Sequence, residues 1–218
     1  IEPTNRCNLN CSTCMRNVWD EPLGLMTHTT FDKILRDAAK LTAPPDIFFG
    51  GFGEPLSHPA ILSMVERAKK IGGAVELITN GILLSKEICN GIIEAGLDRL
   101  WVSIDGANPA SYEDVRLGDE LPLVLENLQT LKHLKETRSS PIPRLGIAFV
   151  AMRRNVGDLP EVVAIGKRLG ADKFSISNVL PHTSELRDQI LYERALSDSD
   201  FEPSIGSPEI SLPRMDIN

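Results

Sequence analysis

The stretch DIFFGGFGEPLSHPAILSMVERAKKIGG, residues 46–73, holds one strand, one turn and one helix in succession. Residues 46–51 are a short Ile/Phe run that closes on glycine, as a buried strand does. Beyond Ser57 and His58, Pro59 is a favoured first helical residue, and Ile61, Met64, Val65 and Ala68 recur at helical spacing. Gly72 and Gly73 then stop the helix. A strand followed by an amphipathic helix is the repeating half of a parallel crossover unit.

The same alternation runs outward from there. AVELITNG (74–81), DRLWVSIDG (98–106), RLGIAFVAM (144–152) and DKFSISNVL (172–180) read as further buried strands. After Thr29 and Thr30, the residues Phe31, Ile34, Leu35 and Ala38 form an apolar helical face. Ser85 suits the cap of a helix whose face is Ile88, Cys89, Ile92 and Ile93 and whose end is Gly96. Leu121, Val124, Leu125, Leu128 and Leu131 mark another, and Leu159, Val162, Val163 and Leu169 one more. Such βα order predicts an α/β fold with a parallel sheet and right-handed crossovers. An open doubly wound sheet and a full or partial barrel both satisfy it, and in either the function gathers at the carboxyl ends of the strands. The opening IEP reads as the tail of a strand already under way. From His182 to Asn218 the chain holds one helix and then turns rich in Ser, Pro and Asp, which suits a linker or the approach to a second domain. The expected division is therefore a core domain over residues 1–181 and a C-terminal extension over 182–218.

With 218 residues and 42% hydrophobic content the chain can bury the core of one domain. A formal net charge of −7 is a poor match for nucleic acid or an anionic membrane, so neither is expected as a partner. No apolar run approaches the roughly 20 residues of a membrane span, and no signal peptide is visible. A cytoplasmic location is expected.

Three of the four cysteines lie within IEPTNRCNLNCSTCMRN (1–17), at Cys7, Cys11 and Cys14, in a C-x3-C-x2-C spacing. Disulfide frameworks belong to small secreted chains, whereas clustered thiols in a reducing compartment more often bind metal. A structural zinc site or an all-cysteine iron–sulfur cluster takes four ligands. A cubane cluster on three thiolates leaves one iron open. The alternative is a zinc knuckle completed by His28 or Cys89. Cys89 falls on an apolar helix face, where free cysteine is a common core residue.

The C-x3-C-x2-C motif, the GFGEP that ends the next strand, and the βα order together resemble the radical S-adenosylmethionine (SAM) superfamily. The likeness covers residues 1 to about 181. CNLNC and SIDG resemble the branch with a C-terminal auxiliary-cluster domain, called SPASM. The opening and NVLPHTSE (178–185) are similar to maturases associated with tungsten-cofactor oxidoreductases. The resemblance implies a partial (β/α)6 barrel with a C-terminal extension. It implies a [4Fe–4S] cluster on Cys7, Cys11 and Cys14, with SAM chelating the open iron and yielding a 5′-deoxyadenosyl radical that abstracts hydrogen from a substrate.

By the same resemblance the loop of Gly53 and Glu54 contacts the amino group of SAM, although Phe52 stands where the family more often has glycine. Thr79 and Asn80 would hydrogen-bond polar parts of the cofactor. Ser103 would lie near its ribose or carboxylate, Asp105 near substrate or ribose, and Arg116 would pair with its carboxylate. Leu180 matches the place where backbone meets adenine. Thr13 replaces the aromatic or large apolar residue usual before the third cysteine. The implied partners are a low-potential electron donor of flavodoxin or ferredoxin type and a peptide or protein substrate; maturation of a metalloenzyme cofactor is a further implied role. Auxiliary iron–sulfur clusters would lie outside the 218 residues. Of the histidines, His58 suits a helix cap, His28 and His133 suit solvent, and His182 is placed for substrate contact. A non-enzymatic zinc or iron–sulfur module, or a TIM-like hydrolase or aldolase, are the competing readings, and the latter lacks an evident acid/base pair.

Overall fold

The computed structural model describes residues 1–116 and 120–191; residues 192–218, most of the expected extension, lie outside them. Among the described residues five strands and seven α-helices follow in the order α1 (His28–Ala38), β1 (Ile47–Phe49), α2 (Ile61–Lys69), β2 (Val75–Thr79), α3 (Lys86–Glu94), β3 (Arg99–Ser103), α4 (Pro109–Arg116), α5 (Leu121–Thr137), β4 (Arg144–Ala151), α6 (Leu159–Arg168), β5 (Ala171–Asn178) and α7 (Ser184–Arg187).

All strand pairs are parallel, and the sheet order is β1-β2-β3-β4-β5. This order decides what periodicity could not. A doubly wound sheet reverses direction at a switch point. Here each crossover steps one strand further the same way; since such crossovers share one hand, the helices cover one face and the sheet winds as a partial barrel. At the outer edge of β1, the Ile1 amine donates to Phe48 O (2.7 Å) and Gly50 N–H donates to Ile1 O (3.0 Å), the two bonds of a parallel ladder.

The hydrophobic core lies between helices and sheet. Val75 and Leu77 of β2, Leu100 and Val102 of β3, and Leu145, Ile147 and Phe149 of β4 meet Ile61, Met64, Val65, Ile92, Leu128 and Val162 from the helices. The opposite, inner face is filled at the amino ends of the strands by charge. Arg99, only 4% exposed, contacts Glu76 (3.6 Å) and Asp172, and Asp172 also pairs with Arg144. Trp101 Nε1 donates to Glu76 Oε2 (2.7 Å). The Trp101 ring lies across Gly146, where a Cβ would come within 2.4 Å of it, so only glycine fits that register position.

Local signals hold well at the helix ends. Ser85 Oγ accepts from Ile88 N–H (3.3 Å), and Gly72 and Gly96 adopt positive φ just past α2 and α3. Four details differ. The N-cap of α1 is Thr27, whose hydroxyl accepts from Thr30 N–H (3.1 Å), so the helix starts before Thr29. Helix α2 starts at Ile61, with Pro59 outside it. Helix α4 was not anticipated, because PASYEDVR buries only Tyr112 and Val115. β1 and β5 are not buried on both faces: Phe48 is 44% exposed, and β5, beside which no further strand lies among the described residues, is mostly exposed.

Candidate functional site

The carboxyl ends of the strands and the cysteine loop enclose a cavity of about 320 Å3. Cys7, Cys11 and Cys14 border it, as do Gly53, Glu54, Thr79, Asn80, Ser103, Arg116 and Leu180. Two larger hollows, of about 450 and 590 Å3, lie against α5 and contain no cysteine, so chemistry and not size picks out the strand-end cavity.

The cysteine loop is shaped by its own backbone. Cys14 N–H donates to Cys11 O (3.1 Å), Asn17 N–H to Cys14 O (3.1 Å) and Asn17 Nδ2 to Cys11 O (2.8 Å). Two anchors hold it over the sheet. On one side Glu54 N–H donates to Arg6 O (2.7 Å), and Gly53 passes so close that a Cβ there would lie 2.0 Å from Thr4 O. On the other, Ser12 N–H and Oγ both donate to Val115 O, at 2.9 and 3.1 Å.

Glu54 is 2% exposed, and both of its oxygens are engaged. Oε1 accepts from Leu56 N–H (2.9 Å) and Thr79 Oγ1 (2.8 Å), and Oε2 accepts from Asn80 N–H (2.8 Å). Burial pushes its pKa up against these hydrogen bonds. Its carboxylate thus joins the loop after β1 to the end of β2. Asn80 Nδ2 continues the chain of contacts to Asn8 Oδ1 (2.9 Å) and Cys7 Sγ (3.8 Å). Leu9 N–H also donates to Cys7 Sγ (3.4 Å). Burial raises the Cys7 pKa, partly offset by that bond.

Asp105 does not border the cavity. β3 ends at Ser103, two residues before Asp105, and the Asp105 side chain turns away from the cavity that Ser103 borders. Its carboxylate is fully buried beneath Arg116, pairs with that guanidinium and accepts from Val150 N–H (2.7 Å). Asn155, which nothing in its local sequence singled out, donates to Asp105 O (3.1 Å). Arg116 Nη1 reaches Cys11 Sγ at 3.6 Å. Burial opposes the Arg116 charge, the Asp105 carboxylate favours it, and the net pKa is raised.

Phe52 and Thr13 border the cavity, and Phe52 packs edge-on against Trp19 with ring centroids 5.2 Å apart. His58 is not the cap of α2, whose N-cap is Ala60 without a side-chain bond; it is buried two residues before that cap, its Nδ1 accepting from Ala60 N–H (3.1 Å). His28 and His133 are exposed, and His182 Nδ1 lies 2.9 Å from Leu180 O, off the cavity wall.

All four cysteines are free thiols. Among the described residues no three His, Cys, Asp or Glu side chains converge as ligands of a single metal ion would. Thiolates that bind separate irons of one cluster must border a common space and need not converge on a point. The three-cysteine cavity meets that condition. A zinc knuckle does not fit: exposed His28 and core-buried Cys89, whose thiol donates to Leu84 O (3.5 Å) and whose pKa is pushed up to about 12 by burial, are not on its wall.

A family model described as the radical SAM superfamily matches residues 1–142. The chain belongs to this superfamily of enzymes. This radical SAM chain is 36% identical over 197 residues to the tungsten-containing aldehyde ferredoxin oxidoreductase cofactor-modifying protein of Pyrococcus furiosus, covering 90% of the chain and 55% of that protein. It is 31% identical to the AdoMet-dependent heme synthase of Methanosarcina barkeri, over 83% of the chain and 50% of the relative. It is likewise 31% identical to a PqqA peptide cyclase of Gluconobacter oxydans, over 81% and 48%. The chain thus spans about half the length of the curated relatives it matches. Streptococcus suis SuiB bound to precursor peptide SuiA shares the fold, with a TM-score of 0.71 at 16% identity, covering 88% of this chain and 41% of SuiB. Native anSMEcpe with bound AdoMet and Kp18Cys peptide superposes with a TM-score of 0.67 at 17% identity, over 92% and 54%. No helix among the described residues is long and apolar enough to cross a membrane.

Proposed function

We propose that this radical SAM chain binds a [4Fe–4S] cluster through Cys7, Cys11 and Cys14 and SAM in the same cavity, as the catalytic core of a cytoplasmic maturation or peptide-modifying enzyme. The observation that carries the reading is that three free thiols and the polar ends of β1, β2 and β3 border one space. When bound, the pair supplies one-electron cleavage of SAM to a 5′-deoxyadenosyl radical for hydrogen abstraction.

The chain's own residues orient and enclose. The backbone at Gly53 offers close approach to the SAM amino group, and Glu54 stiffens that loop from behind. Asn80 and Ser103 supply hydrogen bonds to the cofactor's polar parts. Arg116 supplies the cation for its carboxylate. The backbone at Leu180 meets the adenine. A low-potential flavodoxin- or ferredoxin-type protein delivers the electron. A peptide, a protein or a metalloenzyme cofactor under maturation is the substrate class, which the names of the cofactor-modifying, peptide-cyclase and SuiA-bound relatives support. Further chain of SPASM type, with auxiliary clusters, completes the substrate site.

Anaerobic reconstitution tests the reading. Iron and acid-labile sulfide should bind together, and dithionite-reduced protein should release 5′-deoxyadenosine from SAM. Binding of zinc without sulfide, or an intact cluster that releases none, would overturn it.

A further inference from the structure

We infer that Arg116 is a positioning residue that fixes Cys11 and sets the reduction potential of the cluster that thiolate holds; this rests on the cluster assignment above. The three thiols have unlike surroundings. Among the described residues Cys7 Sγ receives only neutral donors, Leu9 N–H at 3.4 Å and Asn80 Nδ2 at 3.8 Å. Cys11 Sγ faces a cation, Arg116 Nη1 at 3.6 Å. Among the described residues no donor reaches Cys14 Sγ.

The guanidinium is held in place from behind. It pairs with Asp105, whose side chain is 0% exposed. Asp105 Oδ1 is pinned by Val150 N–H (2.7 Å) and its carbonyl by Asn155 Nδ2 (3.1 Å). Asn155 Nδ2 also donates to Val150 O (2.9 Å), and its Oδ1 accepts from Met152 N–H (2.8 Å), so the support is tied to the end of β4. The register of the approach is fixed as well. Ser12 donates twice to Val115 O, which brings the residue before Ser12 and the residue after Val115, Cys11 and Arg116, side by side.

A hydrogen bond or positive charge at a ligand sulfur stabilises the reduced cluster more than the oxidised one. The low dielectric of a buried site magnifies the effect. Asp105 sits one contact further out with the opposite charge. The two residues should therefore act on the potential with opposite signs. A residue with a purely structural role would not show this pattern.

The test is redox titration of the reconstituted cluster followed by electron paramagnetic resonance, with circular dichroism melts to confirm folding. Arg116→Gln should lower the equilibrium constant for reduction at least tenfold, about 59 mV for one electron. Arg116→Lys, which keeps charge but loses the fork, should fall between that and the wild type. Asp105→Asn should raise the potential. An Arg116→Gln potential equal to wild type, or shifts of the same sign in both variants, would overturn the inference. Should Arg116→Gln hold no iron or fail to fold, Arg116→Lys decides: a lowered potential upholds the inference and a wild-type one overturns it. A wild-type chain that takes up no iron and sulfide overturns the cluster assignment itself, whereas a normal cluster with an unmoved potential overturns only the role of Arg116.

Discussion

Glu54 offers the sharpest test of how the site is held together. Its carboxylate is buried and accepts three hydrogen bonds, from Leu56 N–H, Thr79 Oγ1 and Asn80 N–H. In Glu54→Ala all three donors lose their partner. A buried unpaired donor costs about 1–3 kcal/mol, and neighbours in one network are not additive, so a loss of about 3–5 kcal/mol is expected. For a chain of this size that is a fall in Tm on the order of 10 °C. Glu54→Gln keeps the shape, but its amide NH2 must face a donor, either Asn80 N–H or the Leu56 and Thr79 pair. It should cost about 1–3 kcal/mol. The sign of the pH dependence adds a second readout. Burial raises the Glu54 pKa in the folded chain, so the folded state holds this proton more tightly than the unfolded state. The stabilising contribution of the protonated form is full below the ordinary glutamate value and is lost as pH rises from there through the folded pKa. Urea unfolding of the cluster-free chain across that range should show a shallower fall of stability with pH in Glu54→Gln than in wild type. A Glu54→Ala chain as stable as wild type at neutral pH would refute the strut, and would return the carboxylate to the role of a free acceptor for the cofactor.

Other expectations follow from single positions. Cys7→Ala should lose most iron after anaerobic reconstitution, while Cys89→Ala, sealed in the core, should retain it; iron analysis separates the two. Gly53→Ala places a Cβ 2.0 Å from the Thr4 carbonyl and so should displace the cysteine loop, lowering both iron content and SAM affinity measured by calorimetry. Gly146→Ala drives a Cβ to 2.4 Å from the Trp101 ring; it should destabilise the chain by about 1–3 kcal/mol and shift Trp101 fluorescence. A cluster with an iron that no protein ligand covers should bleach in air faster than a four-thiolate ferredoxin cluster, followed by visible absorbance.

What was legible in the sequence is what chemistry over a few residues decides. Ser85 as a cap, Gly72 and Gly96 as stops, and the buried faces of α2, α3 and α5 all depend on neighbours within two turns of helix. Strand order depends on pairings far apart in the chain, from Glu76 with Arg99 to Arg99 with Arg144, and was not legible; neither was the exposure of β5. At the site the limit was different in kind. Glu54, Thr79 and Asn80 were each picked out as polar groups at strand ends, and the structure does bring them to the cavity wall. What no one-dimensional pattern shows is that they are bonded to one another, and that Asn80 passes the connection on to Cys7. Asp105 makes the same point: read as a group facing a ligand, it faces Arg116, and Arg116 faces Cys11. Both carboxylates therefore stand one contact behind a cysteine, one on each side of the loop. Polar residues at the ends of β1 and β3 act here first on the loop that carries the thiols. A substitution at either carboxylate should accordingly be felt at the metal as well as at the cofactor.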